Sequence, residues 1–222
     1  MALYAMGDLH LSTSTNKPMN IFGDHWENHD IQIKNNWCLN DDDTIVIPGD
    51  ISWAMNFKEL ESDLKFLNDL KGKKIILKGN HDYWWTTMKK MIDFIEPFGT
   101  ISFLHNNTYE VEGYSLCGTR GWIQEPGEKS DLIVLKREAG RLEKSLSSAK
   151  NEIIAFLHYP PVYGNVYCSE IMAILKKYDV KRCYYGHLHG RAFENARTGI
   201  IEGIEFSLVS SDFLKFKPLK IN

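Results

Sequence analysis

Histidines and acidic residues stand directly after five apolar segments of the chain. A glycine comes first after four of these segments, and a histidine follows the fifth immediately. The five stretches are Gly7-Asp8-Leu9-His10, Gly49-Asp50, Gly79-Asn80-His81-Asp82, His158 and Gly186-His187-Leu188-His189. Carboxylate, amide and imidazole groups bind metals, and a glycine lets the backbone turn sharply and approach an ion closely. The pattern therefore predicts a metal site built from distant parts of the chain.

The composition of this set restricts the metal. It contains imidazoles, carboxylates and one amide but no thiolate, whereas calcium and magnesium favour shells made of oxygen alone. Mixed imidazole and carboxylate ligands suit manganese, iron, cobalt, nickel or zinc. The set is too large for one tetrahedral ion, and two ions that share one carboxylate would use all of it. We therefore expect two divalent or trivalent transition-metal ions as cofactors.

Each stretch also has a purely structural explanation. Asn80 and Asp82 could serve a turn through local hydrogen bonds, and a lone Asp-x-His pair is a weak signal. A structural explanation of the whole set, however, requires five independent coincidences at five segment ends. The metal site is therefore the favoured interpretation.

The segments that precede these residues have the features of buried strands. They are short, apolar and mostly without polar alternation, which is typical of strands covered on both faces. They are Ala2–Met6, Thr44–Ile47, Lys73–Leu77, Glu152–Leu157 and Arg182–Tyr185. Helices are predicted over Trp26–Leu39, Phe57–Leu70, Thr86–Phe98, Leu132–Ala149 and Ser169–Lys177. Asp24 and Glu27 resemble a capping box at the start of the first helix.

The order of elements predicts an α/β fold with parallel strands at its start. Ligands of such sheets bind at the carboxyl ends of the strands, where the polar residues would meet. Further short strands are predicted over Ile101–Leu104, Thr108–Val111 and Tyr114–Cys117, and between Ala192 and Phe213. Hairpin-like turns are expected at Asn106-Asn107 and Glu112-Gly113, and a turn at Thr198-Gly199. These strands indicate two β regions within one domain over residues 1–222.

Composition and charge exclude several functional classes. The chain has 222 residues, of which 43% are hydrophobic and 25% charged, and its net charge is -3. No basic field therefore favours nucleic acid or anionic lipid. No apolar segment approaches the ~20 residues of a membrane span, and the N-terminus lacks the features of a signal peptide. The cysteines are Cys38, Cys117, Cys168 and Cys183, without a C-x-x-C pair, so we expect reduced thiols in a cytoplasmic protein.

The ordered set of five stretches resembles the calcineurin-like metallophosphoesterase superfamily. The family pattern runs D-x-H, G-D, G-N-H-[DE], an isolated H and G-H-x-H, and all five parts occur in order between residues 7 and 190. The resemblance implies a four-layer αββα sandwich, with two mixed β-sheets face to face and helices outside. It also implies a binuclear centre with ligands at Asp8, His10 and His189 for the first metal, Asn80, His158 and His187 for the second, and Asp50 as the bridge.

The same resemblance implies hydrolysis of phosphate mono- or diesters. Two cations roughly 3.5–4 Å apart can clamp a phosphate and lower the pKa of a bridging water, whose hydroxide attacks phosphorus in line. His81 would be a catalytic histidine that is not a ligand and that donates to the leaving oxygen, with Asp82 orienting it. Open alternatives are a nucleotide pyrophosphohydrolase, a cyclic-nucleotide phosphodiesterase and a non-catalytic metal-binding scaffold. A nuclease is disfavoured because the chain lacks basic charge and length for a DNA-binding domain.

Substrate contacts are less well specified. Arg120 lies in a long predicted loop, Gly118–Ser130, and could fork onto phosphate oxygens or be an ion-paired surface arginine. Lys17 and His25 are further candidates near the first long loop, Leu11–Gly23. Four tryptophans follow the site-forming turns and would either line a pocket or cap the core, and we favour the core for at least two. They are Trp53, Trp84, Trp85 and Trp122. The sequence leaves the oligomeric state open.

Overall fold

The computed structural model describes residues 1–122 and 131–222, so residues 123–130 of the predicted loop lie outside the described residues. Short strands and helices alternate along the chain. The strands are β1 (Leu3–Ala5), β2 (Thr44–Pro48), β3 (Lys73–Leu77), β4 (Ile101–Phe103), β5 (Tyr109–Val111), β6 (Tyr114–Thr119), β7 (Glu152–Leu157), β8 (Val162–Tyr163), β9 (Val166–Tyr167), β10 (Arg182–Tyr185), β11 (Gly199–Ile201), β12 (Ile204–Leu208) and β13 (Leu219–Lys220). The α-helices are α1 (His29–Asn36), α2 (Phe57–Asp69), α3 (Met88–Ile95), α4 (Leu132–Leu146) and α5 (Ser169–Lys177).

The strands form two large mixed sheets and a small hairpin of β8 and β9. The first sheet has the strand order β13-β1-β2-β3-β4, and the second has the order β11-β12-β10-β7-β6-β5. Neighbouring strands from β1 to β4 run parallel, and so do β12, β10, β7 and β6. Antiparallel pairs stand at the edges, where β13 joins β1, β11 joins β12 and β5 joins β6. The predicted parallel start of the chain is confirmed.

Three apolar clusters hold four layers of secondary structure together. Successive side chains of a strand point to opposite faces of its sheet, so in the buried strand β2 Val46 faces the second sheet, whereas Ile45 and Ile47 face helices. Helices α2 and α3 pack on the outer face of the first sheet, and α4 and α5 pack on the outer face of the second. The predicted αββα sandwich of two mixed sheets flanked by helices is confirmed.

The first helix begins later than the sequence predicted. Residues Asp24–Trp26 form a 3-10 turn without a side-chain cap, and α1 starts at His29. Asn28 separates the two because its φ of 50° lies in the left-handed region, which interrupts a right-handed helix. The predicted capping box is therefore wrong. Side-chain caps occur instead at α2, where Asn56 accepts from the Glu59 N–H, and at α4, where Asp131 accepts from the Val134 N–H.

Two of the three predicted turns have a different role. The Glu112-Gly113 hairpin between β5 and β6 is confirmed. Asn106-Asn107 instead connects the two sheets, because β4 pairs with β3 and β5 pairs with β6. Gly199 begins β11, and the tight turn before β12 is formed by Glu202 and Gly203, both at positive φ. The turn predicted at Thr198-Gly199 thus lies four residues before the observed two-residue hairpin turn.

The cysteines are all free. Three of them are buried and Cys38 is exposed. Among the described residues, none of the helices combines the length and the apolar character that crossing a bilayer would require.

Lys74 places a cation inside the first sheet. Its side chain is 0% exposed, and its ammonium group donates to the Leu70 carbonyl and to Thr100 Oγ1. Burial lowers the pKa of Lys74 to about 8, although the carboxylates of Asp69 and Asp41 oppose this shift. A lysine in the unfolded chain titrates near pH 10.4, so the folded state disfavours the charged form.

This difference predicts a pH-dependent stability that disappears on replacement of Lys74 by methionine. Between the folded and unfolded pKa values the unfolded chain binds more protons, so the free energy of unfolding rises with pH, by at most about 1.4 kcal/mol per pH unit. The free energy of unfolding, measured in urea at about pH 7.5 and about pH 10, should increase more for the wild type than for Lys74→Met. The exposed neighbour offers a matched control, since Lys73→Met should run parallel to the wild type. Parallel curves for Lys74→Met would contradict the assignment.

Candidate metal centre

The predicted ligands meet at the carboxyl ends of the parallel strands. Asp8 and His10 follow β1, Asp50 follows β2, and Asn80 follows β3 in the first sheet. The second sheet adds His158 after β7 and, after β10, the remaining two, His187 and His189. Among the residues that the structure describes, two sets of three have candidate ligand atoms within 4.8 Å of one another, namely Asp8, His10 and His189, and Asp8, Asp50 and His158. The structure therefore brings together residues up to 181 positions apart.

One set is centred on two imidazoles that face each other. His10 Nε2 lies 3.3 Å from His189 Nε2, and His189 Nε2 lies 3.6 Å from Asp8 Oδ1. Burial lowers the pKa of His10 well below its usual range. Burial also lowers the pKa of His189, but hydrogen bonds to Asp212 and Asp8 outweigh it and raise the value to about 10. The carboxylates thus favour a positive charge at this point, which a metal cation would satisfy.

A second group of predicted ligands, Asn80, His158 and His187, is centred on the Asn80 amide oxygen. Asn80 Oδ1 lies 2.5 Å from His158 Nε2 and 3.0 Å from His187 Nδ1. His158 Nδ1 lies 3.1 Å from the Pro48 carbonyl oxygen, which only accepts, so a neutral His158 carries its proton on Nδ1. Burial lowers the pKa of His158, which favours this neutral form. Its Nε2 lone pair then points at the amide oxygen, and a cation between two such acceptors would remove their repulsion.

Asp50 lies between these two groups of predicted ligands. Its Oδ2 is 3.7 Å from His10 Nε2 and 3.6 Å from His158 Nε2. Its Oδ1 accepts a hydrogen bond of 2.8 Å from the His81 backbone N–H. Burial, together with the carboxylates of Asp82 and Asp8, raises the pKa of Asp50 well above its usual range. An anion buried beside two other carboxylates is costly without a cation, so the donor set fits bound metal.

Four of the predicted ligands have left-handed backbone conformations. The φ values are 57° at Asp8, 46° at His10, 50° at Asp50 and 73° at His187. Such conformations cost roughly 1–3 kcal/mol each in residues other than glycine and concentrate at functional sites. Backbone hydrogen bonds of 2.9 Å from Asp8 N–H to the Gly49 carbonyl and from His10 N–H to the Asp50 carbonyl hold two of them. The turns are therefore strained in order to aim ligands inward.

Two glycines leave the space that the carboxylates occupy. A Cβ atom at Gly79 would overlap the Asp50 carboxylate, and a Cβ atom at Gly186 would overlap that of Asp8. Neither glycine has a positive φ, so the requirement is for space rather than for an unusual backbone. The glycine that precedes each of these two ligand stretches thus makes room for a ligand from another strand.

The predicted contact between Asp82 and His81 is not formed in the described structure. The Asp82 carboxylate is fully buried and accepts from the backbone N–H groups of Gly79, Asp50 and Ile51 at 2.7, 3.0 and 2.9 Å. It also accepts from Trp84 Nε1 at 3.2 Å. The prediction that Asp82 orients His81 is corrected accordingly, because the turn directs the two adjacent side chains apart. Asp82 instead ties the β3 turn to the β2 turn that carries Asp50.

His81 lies beside the ligands with its ring half-buried. Its Nδ1 is 3.2 Å from the Tyr83 hydroxyl, and its ring centroid lies 4.5 Å from Trp53 and 5.8 Å from His10. Burial, helped by the neighbouring His187, lowers the pKa of His81 to about 4. The imidazole is therefore neutral when no anion is bound. Tyr83, rather than Asp82, is the side chain within hydrogen-bond distance of it.

Sequence reasoning missed Asp212. His189 Nδ1 lies 2.9 Å from Asp212 Oδ1, and His25 Nε2 lies 3.8 Å from its Oδ2. A carboxylate that accepts from one imidazole nitrogen fixes the tautomer and aims the other nitrogen at a metal. The sequence did contain a pattern that could have identified Asp212. Ser210-Ser211-Asp212 follows the apolar strand β12, just as each predicted ligand stretch follows an apolar strand. His25, one of the speculative candidates, thus reaches Asp212 rather than the ligand cluster.

The remaining candidate residues lie either at the rim of the ligand cluster or in the apolar core. The Arg120 side chain faces Glu138, with 3.9 Å from Nη2 to Oε1, and so is ion-paired outside the ligand cluster. Lys17 Nζ lies 4.8 Å from the Trp53 ring, and Trp53 in turn stacks on His10 with 5.1 Å between centroids. Trp84 is buried in the core, and Trp53 and Trp85 are partly buried and pack against it, as expected for at least two of the four. Trp122 contacts Tyr159.

Comparisons with known proteins give the family and the fold of the chain. The model of a family described as calcineurin-like phosphoesterase matches residues 1–191. No curated protein matches the chain in sequence.

Solved structures share the fold at low sequence identity. A phosphopantetheinyl hydrolase (PptH) from Mycobacterium tuberculosis superposes with a TM-score of 0.61 at 14% identity, over 99% of this chain and 95% of that one. TT1561 of Thermus thermophilus gives 0.57 at 12% identity, over 99% and 97% of the two chains. AQ665 of Aquifex aeolicus, described as a protein of unknown function, gives 0.53 at 18% identity, over 99% and 95%. At these identities the likeness concerns the fold alone.

Replacement of Asp212 should weaken metal binding at His189. Loss of such an outer carboxylate typically lowers metal affinity by roughly 10–100-fold, and we expect about tenfold for Asp212→Asn and more for Asp212→Ala. Titration with Mn²⁺ or Zn²⁺ against a competing chelator measures the change. Asp179→Asn, on an exposed loop, is the matched control and should bind metal like the wild type. Unchanged affinity in both Asp212 variants would show that the carboxylate does not position His189.

Proposed function

The chain belongs to the calcineurin-like phosphoesterase family, and from that premise we propose that it is a binuclear-metal-dependent hydrolase of phosphate mono- or diesters. The proposal treats residues 1–222 as one catalytic domain. Its support is that the C-terminal segment after β12, beyond the family match, supplies Asp212 to the same site. The free cysteines support a cytoplasmic location as part of the same proposal.

The position of Asp50 carries the proposal. One carboxylate oxygen, Oδ2, lies at nearly equal distances of 3.7 and 3.6 Å from His10 Nε2 and His158 Nε2, which belong to different ligand sets. A carboxylate in this position could bind two cations at once. A single tetrahedral ion would leave some of the predicted ligands without a metal. We therefore assign Asp50 as the bridge, with the first cation held by Asp8, His10 and His189 and the second by Asn80, His158 and His187.

The choice of ligands suits a phosphate substrate. Two such cations, when bound, neutralise the charge of a phosphate and lower the pKa of a bound water. Manganese, iron, zinc, cobalt and nickel all accept this mixture of imidazoles and carboxylates. A neutral amide at Asn80 adds no negative charge that would repel the substrate. The Asp8 carboxylate also positions the backbone of His187, because both of its oxygens accept a hydrogen bond from the His187 N–H at 3.0 Å.

We assign His81 the transfer of a proton to the leaving oxygen, a role that requires the bound phosphate anion to favour the protonated form of its otherwise neutral ring. Its ring is half-buried next to the ligands, and neither of the ligand sets found among the described residues includes it. Its backbone N–H donates a hydrogen bond to the Asp50 carboxylate, and its Nδ1 contacts the Tyr83 hydroxyl. These two contacts orient the main chain and the ring of His81. Asp82 is a positioning residue that fixes the turn carrying Asp50. A non-catalytic scaffold would not need this histidine.

Replacement of His81 by alanine should separate catalysis from metal binding. The variant should retain two metals per chain and lose roughly 10²–10⁴-fold in turnover, which is the usual contribution of a general acid. The loss should be large for an alkyl phosphate and much smaller for p-nitrophenyl phosphate, whose leaving group needs no proton. Metal content by mass spectrometry and kcat for the two esters measure these effects.

Two results would overturn these assignments. A variant with one metal fewer per chain would make His81 a ligand. Absence of turnover by the wild-type protein with each of the five candidate metals, on monoesters, diesters and nucleotides, would favour the scaffold. Turnover restricted to nucleotide pyrophosphates or cyclic nucleotides would instead select those members of the same chemical class.

A further inference from the structure

Lys17 places a cation at the rim of the metal centre. Its ammonium Nζ lies 4.8 Å from the centroid of the Trp53 ring and 5.9 Å from that of the Tyr83 ring. The Lys17 side chain is exposed, and the ion pairs formed within the described part of the chain do not include it. Aromatic faces attract a cation but do not neutralise its charge. The charge of Lys17 is therefore positioned and still available to an anion.

The two aromatic rings place this charge on the His81 side of the ligand cluster. The Trp53 ring lies 4.5 Å from the His81 ring, and the Tyr83 hydroxyl lies 3.2 Å from His81 Nδ1. Trp53 also stacks on the predicted ligand His10, with 5.1 Å between centroids. Lys17 thus contacts two neighbours of the histidine to which we assign protonation of the leaving oxygen. This position favours contact with the leaving part of the substrate over contact with the oxygens that bind metal.

The loop that carries Lys17 is anchored on both sides of it. Before Lys17, the Thr13 N–H donates to Asp63 Oδ1 at 3.0 Å, and the Asp63 side chain is fully buried on α2. After Lys17, the sulfur of the buried Met19 accepts from Trp53 Nε1 at 3.2 Å. Anchors on both sides restrict the backbone around Lys17, which lowers the entropy lost when the side chain binds an anion.

We propose that Lys17 is a specificity-determining residue that binds a negatively charged group on the leaving part of the substrate. The preferred substrates are then phosphate esters whose leaving alcohol is itself an anion. A lysine ammonium is a compact point charge, so it does not require an anion that accepts two parallel hydrogen bonds, as an arginine fork does. This inference rests on the proposed function, because the reacting phosphate must lie at the metal centre.

Binding of phosphonates, which are not hydrolysed, to the metal-loaded protein tests the proposal. Calorimetry compares ω-carboxyalkyl, alkyl and ω-aminoalkyl phosphonates of matched and increasing length, whose far ends are negative, neutral and positive. At the best length the wild type should bind the carboxyl compound roughly three- to fivefold more tightly than the alkyl compound, which is the upper range for an exposed ion pair. The amino compound should bind more weakly than the alkyl compound. These differences should decrease as the salt concentration rises.

Variants of Lys17 separate its charge from its packing. Lys17→Met should remove the preference for the carboxyl compound, and Lys17→Arg should retain most of it. Lys17→Glu should reverse the order, so that the amino compound binds more tightly than the carboxyl compound. A role limited to packing on Trp53 would not reverse the order. Lys58→Glu, in the exposed first turn of α2, changes the net charge equally and is the matched control, which should keep the order of the wild type.

The outcomes separate this proposal from the proposed function. Equal affinities of the wild type for the carboxyl and alkyl compounds at every length would overturn the role of Lys17. The same change of order in Lys17→Glu and Lys58→Glu would also overturn it. Turnover of phosphate esters by the wild type is measured separately. Turnover without a preference for a charged leaving part would refute the role of Lys17 alone, and no turnover with any ester would refute the proposed function.

Discussion

Acceptor atoms from five strand ends converge on a small, largely buried space. Asp8, Asp50 and His158 are 0%, 1% and 0% exposed, and two acceptors among them, Asp50 Oδ2 and the unprotonated His158 Nε2, lie 3.6 Å apart. Buried acceptors in this arrangement repel unless a cation lies between them. The rest of the site follows from this constraint: left-handed turns aim the ligands, glycines leave space for them, and outer hydrogen bonds keep them in place.

The two sheets are fastened together at the same point. Gly7 donates to the Val209 carbonyl at 2.7 Å and accepts from the Ser211 N–H at 3.0 Å, so the end of β1 is bound to the chain that leaves β12. Ser211 Oγ also donates to the Asp8 carbonyl at 2.6 Å. Asp212, the next residue, contacts His189. The segment beyond the family match therefore completes the ligand cluster and joins the sheets, which explains why site and fold are difficult to separate.

The sequence was sufficient for the architecture and for the meeting of the candidate ligands at the strand ends, because both depend on local patterns. Apolar strands that end in glycine and a polar residue identify parallel strand ends, and β3, β7 and β10 have the predicted bounds. Contacts between side chains of distant segments were not predictable in this way. Asp82 adjoins His81 in sequence, but its carboxylate is drawn to unpaired N–H groups across the turn. Glu138, from a helix after residues 123–130, determines where Arg120 points.

If the Asp50 carboxylate lies between two metal ions, anomalous diffraction from crystals of the protein loaded with Mn²⁺ should show two manganese peaks roughly 3.5–4 Å apart, both within coordination distance of that carboxylate. A single peak, or peaks that do not include Asp50 among their ligands, would show that the cluster does not hold two ions in this way.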